Sequence, residues 1–375
     1  MKILFYLRIV VIGGAEKYVL KLLSELKKRN IEVGFFCTLQ DNNEKIIQYF
    51  SEELNRQSIP IIICKAPPVS IKAAKCLAQT IKKGNYTILH AHLMHAEITS
   101  MLSKLLLGTS CKFVTTKHGY LQKFMDEYGL DYIKVKKWKL SYQVEKFVQR
   151  FVTKNFAVSE GVAKFYILSE ICKPSKMEVI YHGLETDFCN NDEPAIRISE
   201  NQLLIAGRLR KFKGHELLLK AVKYLKYEIS DFKLIILGEG EEKDKLLSIV
   251  KREGLDEVVF FAGFSKEVCP YFKGSDLVVA PSIVEPFGLI VLEAYSCSKP
   301  VVAFDVTAFN ENIVNNETGF LIKPYDTKEL ANKIKYLLEN KNIAKQMGVN
   351  GYKLLQDKFS FDASIEKTID FYKSV

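Results

Sequence analysis

The amino-acid sequence describes an α/β protein made of two Rossmann-like, doubly wound domains with a cleft between them. Three observations carry that reading. Short apolar runs of strand length alternate with amphipathic stretches of helix length from the first residues onward. The alternation stops at a polar link, Cys189-Asn190-Asn191-Asp192-Glu193-Pro194, and then begins again. The chain has 375 residues, more than one hydrophobic core ordinarily serves, and 48% of them are apolar, ample for two.

In the first half the expected strands are 2–7, 32–38, 60–64, 87–90, 112–116, 155–158 and 178–181. Helix-like stretches separate them, and residues 16–29 set Tyr18, Val19, Leu22, Leu23 and Leu26 on one face. After the link, strands are expected at 202–206, 233–237, 258–262, 277–280 and 301–304. Runs such as Leu277-Val278-Val279-Ala280 are apolar at every position, as in parallel strands covered on both faces. The domains are therefore placed at 1–188 and 189–359.

The charge is unevenly spread. Residues 1–183 carry 28 Lys/Arg against 15 Asp/Glu, whereas the remainder carries 26 against 29. A basic first half suits nucleic acid, acidic lipid or a phosphorylated acceptor. The eight cysteines are scattered without any C-x-x-C and read as buried, reduced thiols of a cytoplasmic protein. Of the histidines only His90, His92 and His95 cluster, and no carboxylate or cysteine at ligand spacing accompanies them, so no metal is expected. Arg8 interrupts the apolar start, and Gly13-Gly14-Ala15-Glu16-Lys17 opens a helix rather than a cleavage site. There is no apolar run of 18 residues to span a bilayer.

Four places could carry chemistry. Gly13 and Gly14 lie between the first strand and first helix, where backbone N–H groups can approach an anion, although a Gly-Gly pair is also an ordinary turn. It is not the G-x-G-x-x-G of a dinucleotide fold, which counts against a nicotinamide enzyme. Arg208 and Lys213 sit five apart on a glycine-bounded loop after a strand, a placement that suits a diphosphate, although such a turn alone is more often solvated. Glu285 and Glu293 flank Pro286-Phe287-Gly288, one on the loop after strand 277–280 and the other one and a half turns into the next helix. In open α/β sheets that edge is where ligands bind. His118 ends a first-domain strand just before Gly119.

The string Ala280-Pro-Ser-Ile-Val-Glu285-Pro-Phe-Gly-Leu-Ile-Val-Leu-Glu293 resembles the E-x7-E motif of the GT4 family of retaining glycosyltransferases. Further strings match the family, among them Gly13-Gly-Ala-Glu-Lys-Tyr-Val-Leu20, Thr115-Thr-Lys-His118-Gly, Gly207-Arg-Leu-Arg-Lys-Phe-Lys213-Gly and Thr318-Gly-Phe-Leu. The resemblance covers nearly the whole chain and implies a GT-B fold whose last helix, about 360–375, packs back on the first domain. It implies a sugar-nucleotide donor, UDP- more than GDP-, bound by the second domain, and an acceptor bound by the first. Glu293 would then accept from the ribose hydroxyls and Glu285 from the donor sugar. Arg208 and Lys213 would neutralise the diphosphate, His118 would approach the sugar, and the amides of Gly13, Gly14, Phe287, Gly288 and Leu289 would face sugar and phosphates. No cofactor is implied. Two departures stand out: His182 where the family has Asn, and Thr307-Ala308 where it has Gly-Gly. The second bulks up a loop near the donor.

Two carboxylates also suit a glycoside hydrolase, but that chemistry has no use for the cation pair or the glycine loop. An epimerase on the same fold, or a two-domain nucleotide-binding protein, are the other readings. Lys134, Lys136, Lys137, Trp138 and Lys139 mix cations with an aromatic, which suits an anionic membrane surface or a solvated helix face. The basic first half favours peripheral attachment on the cytoplasmic side, where lipid-linked acceptors for surface polysaccharide or lipopolysaccharide reside. No recognition motif for nucleic acid accompanies the charge.

Overall fold

The computed structural model describes residues 1–8, 14–39, 44–120, 137–189 and 192–375. The first sheet holds β1 (Lys2–Leu7), β2 (Glu32–Leu39), β3 (Ile61–Lys65), β4 (Ile88–His92), β5 (Lys112–Lys117), β6 (Lys154–Ala157) and β7 (Met177–Val179), ordered β3-β2-β1-β4-β5-β6-β7. The second holds β8 (Asn201–Ala206), β9 (Phe232–Leu237), β10 (Val259–Gly263), β11 (Leu277–Ala280), β12 (Val301–Phe304) and β13 (Gly319–Ile322), ordered β10-β9-β8-β11-β12-β13. Every neighbouring pair runs parallel. Ile3 to Leu7 and Leu277 to Ala280 are buried at every position, which is why these strands read as unbroken apolar runs.

The strand order reverses between β1 and β4 in one sheet and between β8 and β11 in the other. Loops leaving those strands diverge to opposite faces and open a crevice at the carboxyl edge. Strand β13 was not expected. Its four residues are too few to show a period, and Gly319 lies so close to β12 that a Cβ would come within 2.1 Å of the Val301 carbonyl oxygen.

Two chain crossings tie the sheets together. Leu184 and Ser360 run side by side: Leu184 N–H donates to the Phe359 carbonyl and Phe361 N–H to the Leu184 carbonyl, each at 3.0 Å. Gly183 permits this approach, since a Cβ there would lie 2.5 Å from Phe361 Cα. The last helix, Phe361–Lys373, then packs on the first helix, α1 (Gly14–Lys28), and buries Phe361, Ile365, Ile369 and Tyr372 in the core around β1 and β2. Arg29 holds the two together through Asp362 at 2.7 Å and Glu366 at 3.1 Å.

The cysteines need a correction. Cys189, on the link, and Cys269, opening a short helix of the second domain, form a disulfide with Cα atoms 5.2 Å apart, while the other six cysteines are free. Eighty residues separate the pair in sequence, so spacing carried no sign of it.

Across the cleft, the helix Glu160–Leu168 of the first domain meets the second domain end on. Glu311 accepts from the N–H groups of Glu160 and Gly161, both at 2.8 Å, and Ser159, which caps the same helix, donates to the Pro286 carbonyl at 2.6 Å. Tyr120 meets the Thr307 hydroxyl at 2.8 Å. Glu311→Ala leaves two helix-end donors without their carboxylate, a loss of about 1.5–3 kcal/mol for charge-assisted bonds. We expect a lower Tm and a larger radius of gyration in solution X-ray scattering. An unchanged radius would show that the other contacts hold the sheets closed without Glu311.

Candidate functional site

The Arg208–Lys213 loop leaves β8 and is locked by the loop after β9. Gly207 N–H donates to the Leu237 carbonyl at 2.9 Å, and Leu209 N–H to that of Glu239 at 3.0 Å. The backbone then tightens into a 3-10 turn, Lys211–Lys213, closed by Gly214 at φ 74°. A Cβ on Gly214 would lie 1.9 Å from the Pro281 carbonyl oxygen, so only glycine lets this loop lie against the loop after β11. Ile283 N–H donates to the Phe212 carbonyl at 2.9 Å and fixes the same contact. Lys213 is thereby aimed at Glu285, whose carboxylate it meets at 2.6 Å. Glu285 is buried, and this ion pair compensates its charge. Arg208 is exposed.

After Glu285, Pro286 packs on Gly119 of the first domain and Phe287 is buried against Tyr181 and His182. Gly288, at φ 86°, leads into the helix Leu289–Ser296. The first N–H groups of that helix have no acceptor within it and point along its positive end. Glu293 lies further along, half-buried. Burial lifts its carboxyl from the ordinary 4.5 to about 7. The cations Lys17, Lys213 and Lys21 pull it back and Glu285 pushes it further up. Lys17 and Lys21 belong to α1, so Glu293 already sits in the field of the opposite domain. Gly14 opens α1, is exposed, and has nothing within 4 Å of the place a Cβ would take, which leaves its backbone free to meet a ligand.

His118 follows β5. The preceding Lys117 is buried between Glu97 and Glu145, at 2.7 and 2.5 Å, and anchors that strand end to two helices. His118 joins a stack of rings: its Nε2 lies 2.8 Å from Nδ1 of His92 and its Nδ1 lies 3.4 Å from Nε2 of His182. His182 packs on Tyr18 with centroids 4.1 Å apart. Behind His92, His90 meets the hydroxyls of Tyr372 at 2.6 Å and Thr116 at 2.7 Å. Burial, and then the charge of Lys117, lowers His118 to about 3, so the ring is neutral near pH 7. Burial lowers His90, His92 and His182 as well.

The structure thus brings Lys213, Glu285, Phe287, Gly288, Leu289 and Glu293 into one loop-and-helix unit, with α1 close by. Gly13, Lys134 and Lys136 lie outside the described residues. The three rings around His118 were missed. The sequence offers His90 and His92 only as a possible metal cluster and His182 only as a departure from Asn. Among the described residues no group of three or more His, Cys, Asp or Glu is arranged to hold a metal. His215 was also missed: it follows Gly214, is buried, and neither ring nitrogen has a partner among the described residues.

Two family models match the chain in succession. Residues 12–188 match Glycosyltransferase Family 4 and residues 190–354 match Glycosyl transferases group 1. The N-acetyl-alpha-D-glucosaminyl L-malate synthase of Bacillus anthracis is 26% identical over 97% of this chain and 93% of its own. A Campylobacter jejuni relative is 31% identical over 50% of this chain and 51% of its own. It is named N-acetylgalactosamine-N,N'-diacetylbacillosaminyl-diphospho-undecaprenol 4-alpha-N-acetylgalactosaminyltransferase. In fold, Anabaena HepE in complex with UDP superposes with a TM-score of 0.82 at 21% identity, and the match covers 100% of both chains.

The raised Glu293 carboxyl has a stability signature. The folded chain prefers it protonated, so its favourable contribution is complete below about pH 4.5 and is lost as pH rises through about 7. Relative to Glu293→Gln, wild type is expected to lose stability across that window and to level off above it. A stability difference that stays flat from pH 4.5 to 7.5 would mean that Glu293 is fully hydrated.

Proposed function

Because the chain belongs to the group 1 glycosyltransferases of family 4 and has their GT-B fold, we propose a specific transfer for it. A hexose or N-acetylhexosamine leaves a nucleoside diphosphate, UDP rather than GDP, and joins a glycan or lipid-linked acceptor with its anomeric configuration retained. The observation that carries this reading is the meeting of Glu285, Glu293 and Lys213 at one sheet edge, with Lys17 and Lys21 of the other domain beside Glu293.

The bond from the anomeric carbon to the diphosphate oxygen breaks, and the acceptor oxygen forms its bond on the same face. The acceptor proton passes to the departing phosphate oxygen. No protein nucleophile and no metal enter this scheme. Negative charge grows on the leaving diphosphate, and Arg208 and Lys213 are the groups to stabilise it. The N–H groups of Phe287, Gly288 and Leu289, with those of Gly13 and Gly14, add donors to sugar and phosphates. Glu293 takes the ribose hydroxyls, and Glu285, held by Lys213, takes hydroxyls of the sugar. Neutral His118 can accept or donate a hydrogen bond at the sugar without adding charge.

UDP is supported by the ligand of the Anabaena neighbour, and a lipid-linked acceptor by the Campylobacter relative's name. No helix among the described residues is long and apolar enough to cross a membrane. The exposed Trp138 and the cations Lys137 and Lys139, with Lys134 and Lys136 just before them, support attachment to the anionic inner face of the cytoplasmic membrane. Synthesis of surface polysaccharide or lipopolysaccharide is the role that fits there.

Thermal stabilisation by UDP, GDP, ADP and NAD is the first test. UDP is expected to raise Tm, and Glu293→Ala to weaken its binding by about 1.5–3 kcal/mol. UDP affinity unchanged in that variant would remove Glu293 from the ribose. Arg208→Ala and Lys213→Ala are expected to lower turnover more than donor binding, and a variant with near-normal turnover would take its residue out of the mechanism.

A further inference from the structure

The first domain contains a cavity whose lining includes none of the residues of the candidate functional site. It has a volume of about 1190 Å³ and lies between the helices Leu93–Leu107, Leu140–Val148 and Glu160–Leu168 and the turn before β7. Its walls are apolar, with Ile98, Met101, Val144 and Ile167 among them. Among the described residues its charged lining is one-sided: Lys137, Lys146, Arg150, Lys173 and Lys176 stand against the acid Glu170. Glu170 is taken by Lys137 at 2.7 Å and reaches Lys146 at 3.8 Å, while Lys176 is committed to the carbonyls of Gln149 and Val152. Arg150 and Lys173 are exposed.

Gln149 lines the cavity. Its side chain is buried, and neither its amide nitrogen nor its oxygen has a hydrogen-bond partner among the described residues. A buried amide left unmet is costly, and that cost falls if the side chain turns to a polar atom in the cavity. Around the cavity the surface is apolar where a monomeric surface is ordinarily polar: Trp138 and Leu140 are 76% and 78% exposed, and Leu105, Leu106, Phe147 and Leu168 are exposed too.

An apolar interior, a cationic mouth and an apolar surround call for a ligand with a hydrocarbon chain and a negative head. We propose that this cavity binds one anionic lipid drawn from the bilayer. Its acyl chain lies on Ile98, Met101, Val144 and Ile167, its phosphate meets Arg150, Lys146 and Lys173, and an ester or phosphate oxygen accepts from the Gln149 amide. The site deepens the membrane attachment proposed above and rests on it for the source of the lipid. It gives that attachment a defined pocket rather than a diffuse basic surface, and it would orient the cleft relative to the membrane.

Trp138 is the one tryptophan of the chain and serves as a reporter. Full-length protein is titrated with phosphatidylglycerol vesicles, with phosphatidylcholine vesicles, and with dioctanoyl phosphatidylglycerol below its micelle concentration. Three variants are compared: Lys146→Glu/Arg150→Glu, Gln149→Leu, and Lys134→Gln/Lys136→Gln/Lys139→Gln. Wild type is expected to bind both phosphatidylglycerol forms and not phosphatidylcholine. At about 1 kcal/mol per surface cation, the charge-reversed variant should bind at least about tenfold more weakly. Gln149→Leu should bind more weakly too, without any fall in Tm, since it removes an unmet amide. Vesicle binding that survives in both cavity variants but is lost in the triple variant overturns the cavity site and leaves surface attachment standing. Soluble phosphatidylglycerol bound through Arg150 and Gln149 while vesicles are ignored would support the cavity and sink the attachment. Wild type that binds neither form overturns both.

Discussion

A parallel strand covered on both faces can offer chemistry only at its end. This chain has two sheets of such strands, and almost every feature of the candidate site follows from how their carboxyl edges are brought together. The strand order reverses at β1/β4 and at β8/β11, and the residues of interest leave these strands or their immediate neighbours. Gly14 follows β1, His92 closes β4, Arg208 and Lys213 follow β8, and Glu285 follows β11. The end-on contact of helix Glu160–Leu168 with Glu311, the Ser159–Pro286 bond and the Leu184–Ser360 crossing set the distance between the two edges.

Burial then decides the charges. Glu285 is compensated by Lys213, its neighbour across the Gly214–Pro281 contact, whereas Glu293 has no ion-pair partner among the described residues and rises to about 7. A nucleotide whose ribose hydroxyls donate to that carboxylate would restore its ionised form, so binding and ionisation at Glu293 are linked. On the other wall four histidine rings pack with Tyr18 and Phe5, and lost hydration keeps them uncharged. The site therefore sets cations of both domains, Lys213 and the α1 lysines Lys17 and Lys21, around the glutamates, with neutral polar rings on the first-domain wall. That division suits a reaction in which negative charge grows on a leaving group while the transferred sugar needs orientation.

The first domain carries a different chemistry on its helical side. There the cations surround an apolar cavity and exposed Trp138 and Leu140 rather than a diphosphate-sized loop. Part of the first half's positive charge thus stands at a surface that is also apolar.

Periodicity and breakers sufficed for twelve of the thirteen strands, because most are apolar runs bounded by turn residues, and β13 escaped as four residues between Thr318 and Lys323. The carboxylates, Arg208, Lys213 and the Pro286-Phe287-Gly288 turn were legible for the same reason: local spacing places them at a strand end. Relations between distant segments were not. The pairing of Lys213 with Glu285, the disulfide between Cys189 and Cys269, the contacts of His118 with His92 and His182, and the grip of Glu311 on Glu160 and Gly161 join residues 26 to 151 positions apart. One sequence records which residue types stand at each strand end. Which ends meet depends on how the two sheets and the returning C-terminal helix pack, and that packing alone fixes the burial from which the charges of the site follow.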